Sequence, residues 1–136
     1  MIYKNPSQAA SLLAEKIRQS NLANPCLFYL NPTAVAFCQL VAKQLSLPLT
    51  FLPDQISSLP PNPNLIIIDD GSTRAVEYNE SIDLVKKTSP TTNVTLAIPV
   101  IPASEKEILK NTADGLIYLH CEPLFFSVDQ FYEQPN

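Results

Sequence analysis

Glycine is nearly missing from this chain, with two residues in 136 set against thirteen prolines. Its loops are therefore stiffened by fixed φ angles. Loops that wrap phosphate, which rely on Gly for close backbone approach, have little to be built from. Cationic residues are also in deficit: nine Lys and Arg face thirteen Asp and Glu, for a net charge of -4. The nine are scattered and form no block, which argues against a nucleic-acid partner, since such binding draws on cationic contacts to phosphate. No apolar run approaches the ~20 residues of a membrane span. No apolar stretch follows Lys4 as it would in a signal peptide, so the cytoplasm is the expected location. Cysteine is sparse and odd in number: Cys26, Cys38 and Cys121, at spacings of twelve and eighty-three, fit neither a disulfide framework nor a zinc site. They read as buried reduced thiols.

What is present points to a globular protein. The hydrophobic content is 46%, and the length suits one domain spanning residues 1–136. Asn5-Pro6 reads as an N-cap followed by proline at the first helical position, with Gln8 placed to complete a capping box. Ala9, Ala10, Leu13 and Ile17 then give an apolar stripe at helical spacing. Cys26 to Leu30 reads as a buried strand. Asn31-Pro32 repeats the cap-plus-proline signal and opens a helix to about Ser46. Leu49 to Leu52 reads as a short strand, and Pro53 to Asn64, with four prolines, as a loop. Leu65 to Ile68 is an uninterrupted branched apolar run, the pattern of a strand covered on both faces. A helix is predicted from near Thr73 with Val76, Ile82 and Val85 inward, then a strand at Val94 to Val100. A capping box at Ser104 to Glu107 opens a helix packing through Ile108 and Leu109. A fifth strand runs from Leu116 to Leu119, and Ser127 to Gln130 caps a last turn. This alternation implies a three-layer α/β/α sandwich around a mainly parallel five-stranded sheet.

Ligands of open parallel sheets bind beyond the carboxyl ends of the strands. The only polar cluster with chemical character there is Asp69-Asp70-Gly71-Ser72-Thr73-Arg74. Adjacent carboxylates can accept hydrogen bonds from ribose hydroxyls or coordinate magnesium. The following turn offers backbone N–H groups and hydroxyls to an anion. The alternative reading has Asp70 or Ser72 capping the helix and Asp69 solvated at the strand end.

Leu65 to Val76 resembles the ribose-phosphate motif of type I phosphoribosyltransferases, a strand ending in D-D-G-x-A-T-G-x-T. Thr95 to Val100, Ala113 to Leu119, Pro123 to Val128 and Phe131-Tyr132 are similar to the closing half of one bacterial branch. Ala10 to Ile17 and Leu30 to Leu49 resemble the opening half more loosely. The resemblance implies a phosphoribosyltransferase-like fold, with Asp69 and Asp70 on ribose hydroxyls or magnesium and Arg74 on a 5′-phosphate.

The departures bear on activity. The branch's pyrophosphate loop, L-P-R-G-G, corresponds here to Leu30-Asn31-Pro32-Thr33-Ala34, without the Arg and without either Gly. In the ribose-phosphate loop the chain has Thr73-Arg74-Ala75-Val76-Glu77. Ala75 adds a Cβ where phosphate approaches, and Glu77 puts a carboxylate where a hydroxyl would donate. A like charge beside a phosphate costs on the order of a few kcal/mol in a desolvated loop. The long insert that supplies the family's hood and mobile loop is replaced by Pro53 to Asn64, too short to cover a substrate.

Elsewhere, His120 and Cys121 are strand neighbours pointing to opposite faces and do not form a nucleophile–base pair. Phe125, Phe126, Phe131 and Tyr132 read as closing one end of the core, with a partner-binding patch as the alternative. The sequence therefore leans away from an enzyme. It describes a degenerate phosphoribosyltransferase-like module with weak or no transferase activity, binding a phosphorylated ribose compound or a protein. One alternative is an active transferase whose lid comes from a second subunit of a homodimer. Another is a purely structural or interaction domain.

Overall fold

The structure is a computed structural model and describes residues 2–60 and 64–133. Five strands, β1 (Pro25–Tyr29), β2 (Leu49–Phe51), β3 (Asn64–Ile68), β4 (Asn93–Pro102) and β5 (Gly115–Glu122), form one sheet in the order β2-β1-β3-β4-β5. Every pairing is parallel. Helices α1 (Pro6–Gln19) and α2 (Val35–Leu45) cover one face, packing on Ile66, Ile68, Ala97 and Val100. Helices α3 (Leu52–Gln55), α4 (Ala75–Thr88) and α5 (Lys106–Thr112) cover the other, over Leu65, Ile67, Leu96 and Ile98. The three-layer parallel architecture is thus the one the sequence predicts. No helix among the described residues is long and apolar enough to cross a membrane.

The central strand explains the layering. Leu65, Ile66, Ile67 and Ile68 all have no measurable exposure and face alternately into the two cores. Burying each such side chain contributes roughly 1.5–3 kcal/mol, so β3 anchors both layers. The first cap also forms as expected: Asn5 Oδ1 accepts from the Gln8 N–H at 2.9 Å, with Pro6 at the first helical position. Gln8 reaches back one residue further than a capping box requires, to the Lys4 N–H.

Three local expectations are corrected. The loop read over Pro53 to Asn64 begins with α3 and a 3-10 turn at Ile56–Ser58. Leu52 and Ile56, four residues apart, both enter the second core. Proline at the start of α3 favours this turn instead of opposing it. Residues 61–63 of that expected loop lie outside the described residues.

Helix α4 begins at Ala75, not near Thr73, so its inward stripe is Ala75, Tyr78, Ile82 and Val85, and Val76 is exposed. The box at Ser104 to Glu107 does not form. A 3-10 turn at Ala103–Glu105 leads into α5, which buries Leu109 and leaves Ile108 exposed. β4 and β5 also run longer than predicted and continue to Pro102 and Glu122.

The first and last described segments pack together. Tyr3 bridges Tyr132 in parallel, and their rings lie 5.8 Å apart. The C-terminal aromatic group therefore divides: Phe131 and Tyr132 close the core, while Phe126 is 83% exposed. His120 turns its ring toward Phe131 and hydrogen-bonds Glu122 at 3.0 Å, while Cys121 packs toward the opposite core. All three cysteines are free. The Cys38 thiol is pushed up by burial, and next by the Asp69 and Asp70 carboxylates, and it donates to the Ile68 carbonyl at 3.1 Å.

Candidate functional site

Beyond the carboxyl ends of β3 and β4 lies a cleft of about 420 Å³. Its floor is the turn Gly71 to Arg74. Pro102, Ser104 and Glu105 form one wall, and Phe125 to Val128 form the other. None of the described residues of the α3 segment lines it.

The turn is shaped by two carboxylates with opposite roles. Asp69 is 1% exposed rather than solvated. Its Oδ2 accepts from the N–H groups of Gly71 (3.0 Å) and Thr73 (3.2 Å) and from the Tyr78 hydroxyl (2.8 Å). Its Oδ1 accepts from the Thr73 hydroxyl at 2.8 Å. Burial, and next the neighbouring Asp70 charge, push its pKa above the usual carboxylate range, opposed by those hydrogen bonds. The Tyr78 phenol is driven well up by its own burial and then by Asp69. Asp69 therefore organises the turn from inside.

Asp70 points the other way, is half-buried, and accepts with Oδ1 from the Ser72 N–H (2.9 Å) and hydroxyl (2.6 Å). Its Oδ2 accepts from no donor among the described residues. Gly71 has φ +105, and a Cβ there would lie 2.8 Å from the Val100 carbonyl oxygen. This is the one place where the scarce glycine is indispensable.

Two contacts link the turn to distant segments. Asn31 Nδ2 donates to the hydroxyls of Ser72 (3.1 Å) and Thr73 (3.2 Å), while its Oδ1 accepts from the N–H and hydroxyl of Thr33. The loop after β1 is thereby stitched to the loop after β3. Second, Glu105 Oε1 accepts from the Ala75 N–H at 2.7 Å. The positive end of α4 is thus already met by a carboxylate from the chain itself.

Glu77, the residue suspected from sequence, is exposed. Arg74 is exposed at the rim and enters none of the ion pairs of the described residues, which join Arg18 to Glu15, Lys86 to Asp114 and His120 to Glu122.

The six residues from Asp69 to Arg74 are therefore brought together, but among the described residues only Asp70 Oδ2 and the Arg74 guanidinium are left without a side-chain partner. Sequence reasoning missed Tyr78, Glu105 and the bridging role of Asn31. Tyr78 was findable, because it lies on the inward stripe once the helix start is moved to Ala75. The other two are contacts across 30 to 42 positions with no local signal.

Among the described residues no group of three or more His, Cys, Asp or Glu is placed to hold a metal ion. A magnesium ion here would rest on Asp70 together with ligand phosphates, the usual manner of binding for this ion.

Solved structures assign this fully parallel α/β sandwich, with its acidic turn at the carboxyl edge of the central strand, to the phosphoribosyltransferase-like fold. TT1426 from Thermus thermophilus superposes with a TM-score of 0.79 at 17% identity, covering 97% of this chain and 90% of that one. Orotate phosphoribosyltransferase from Aeropyrum pernix gives 0.58 at 19% identity, covering 82% and 68%. A hypothetical protein from Neisseria gonorrhoeae, solved with bound ppGpp, gives 0.59 at 12% identity, covering 75% and 74%. The likeness is one of fold. No protein-family model and no curated protein matches the chain.

Proposed function

We propose that this chain is a phosphoribosyltransferase-fold binding module that does not carry out phosphoribosyl transfer. The observation that carries this reading is the Glu105 carboxylate on the Ala75 N–H. At the helix end where a ribose phosphate would draw on backbone N–H groups and the helix dipole, an internal anion already takes that interaction. The Asn31 stitch supports the same reading, as does the lack of a covering segment over the cleft among the described residues. Transfer chemistry needs both a pyrophosphate seat and exclusion of water.

The ligand class is a phosphorylated ribose compound held weakly at the rim, its hydroxyls donating to Asp70 Oδ2 and its phosphate meeting Arg74. The ppGpp bound to the Neisseria gonorrhoeae protein of like fold is a compound of this class. The test is a calorimetric panel of ribose 5-phosphate, nucleoside monophosphates, ppGpp and phosphoribosyl pyrophosphate, with and without magnesium. The expected result is binding that weakens in Asp70→Asn and Arg74→Ala proteins. Absence of binding by every compound would refute the ligand class and favour a purely structural role.

A further inference from the structure

The two edges of the sheet are unequal. β2 is three residues long, whereas β5 runs for eight and pairs with β4 at the far end of the strand order. An open edge presents a row of backbone N–H and C=O groups that can template another strand. Proteins blunt such edges by keeping them short or by placing Pro or Lys on them. β5 contains neither Pro nor Lys. Its guard comes from α1, where Lys16 Nζ donates to the Tyr118 carbonyl at 3.0 Å. That carbonyl therefore faces away from β4, and the two-residue alternation of a strand turns the backbone groups of Leu116 the same way. A groove of about 390 Å³ follows this edge, lined by Leu116 to Leu119 and by Lys16, Gln19 and Ser20.

Two cations flank the edge. Lys16 holds its ammonium 5.9 Å from the Tyr118 ring centre. Lys106, at the start of α5 on the other face of the sheet, holds its own at 5.7 Å. Neither lysine enters an ion pair of the described residues, although the chain carries a net charge of -4. The acids at the two ends of β5 are already engaged. Asp114 accepts from Lys86 and the Val94 N–H, and Glu122 hydrogen-bonds His120 and accepts from the Leu124 N–H. A second copy laid along β5 would thus bring only acids that have partners.

We propose that β5 takes an added strand from a partner protein, an extended segment carrying two adjacent acidic residues. Successive side chains of a strand point to opposite faces, so adjacent acids reach Lys16 on one face and Lys106 on the other. As one carboxylate draws the Lys16 ammonium, a partner N–H takes its place on the Tyr118 carbonyl. Main-chain hydrogen bonds supply the affinity, and the acid pair selects the segment. None of these groups lines the cleft, so this proposal and the ribose-phosphate reading can fail separately.

The test titrates isotope-labelled protein at low salt with a capped peptide, Val-Thr-Glu-Glu-Thr-Val, following the backbone amides of Leu116 to His120. Saturable shifts centred on β5 are expected. A peptide with Glu-Thr-Glu puts both acids on one face and should bind about twofold more weakly, and a Gln-Gln peptide about fivefold. Of two copies N-methylated at alternate amides, one should lose binding, because every second amide of an added strand faces the sheet. Lys16→Glu and Lys106→Glu should each weaken the Glu-Glu peptide and favour the same peptide with Lys at one acidic position. Thermal melting verifies that both variants fold. No saturable shift, equal affinity for the three peptides, or full binding by both methylated copies overturns the proposal. So does a protein that sediments as a dimer and shifts its β5 amides on dilution, which gives the edge to a second copy.

Discussion

Asp70 stands between two regions that use their polar groups in opposite ways. On one side, the turn from Asp69 to Ala75 is closed on itself. Asp69 takes four donors, Asn31 bridges two hydroxyls, and Glu105 takes the Ala75 N–H. On the other side, Tyr132 buries a hydroxyl with no partner among the described residues, close to the carboxylates of Asp70 and Asp129. The region that carries the recognisable motif is the one with least left to offer a ligand. A motif establishes that residues are present, while hydrogen bonding decides whether they are available.

The largest expected effect tests whether Asp69 is an internal brace. Asp69→Ala removes the acceptor of two buried N–H groups and of the Tyr78 hydroxyl and should cost about 3 kcal/mol or more. That corresponds to a fall of roughly 10 °C in Tm on thermal melting. Asp69→Asn keeps one oxygen for those three donors and presents its amide to Thr73, so it should cost less than about 1 kcal/mol. Similar losses in the two variants would break the comparison.

Gly71→Ala should come next, at about 2–3 kcal/mol by chemical denaturation. It combines a positive φ of +105 with a Cβ only 2.8 Å from the Val100 carbonyl oxygen.

Glu105→Gln removes the negative charge from the end of α4 while keeping a hydrogen-bonding oxygen. Ribose 5-phosphate should then bind about tenfold more tightly by calorimetry, with stability changed by under about 1 kcal/mol. Unchanged affinity would mean that Glu105 does not govern anions at the turn.

The pH dependence provides a smaller test with a defined sign. Asp69 has a raised folded pKa, so its protonation favours the folded state. That contribution is fully present below the unfolded carboxylate value of ~3.9 and is lost as pH rises through the folded value. Asp114 behaves in reverse. Partial burial raises its pKa, but Lys86 and the Val94 N–H outweigh this and lower it, so its contribution is present above the unfolded value and lost as pH falls through the folded one. The stability of the parent protein relative to Asp69→Asn should therefore decline from acid toward neutral pH, whereas relative to Asp114→Asn it should rise.

The smallest effect belongs to the other region. Tyr132→Phe deletes a hydroxyl without a partner among the described residues and should stabilise the protein by about 1 kcal/mol or less.

The layers of this fold were legible because β3 is branched and apolar at every position from Leu65 to Ile68, a pattern that only a doubly covered strand explains. Asn5-Pro6 fixed the first helix start for similarly local reasons. Errors arose where a local signal had two outcomes. Pro53 reads as a breaker or as a helix start, and burial of Leu52 and Ile56 decides for the helix. The acidic turn was legible as a position but not as a state. Which carboxylate faces inward depends on Tyr78 a full turn into α4, and on Asn31 and Glu105 arriving from other strands. Glu77 was the nearest acid in sequence, yet Glu105 is the one that reaches the Ala75 N–H.

The most direct measurement of the central claim is pyrophosphate release from phosphoribosyl pyrophosphate, with magnesium and a panel of nucleobases. No release above the protein-free control is expected for the parent protein or for Glu105→Gln. Turnover by the parent protein that disappears in Asp70→Asn would contradict it.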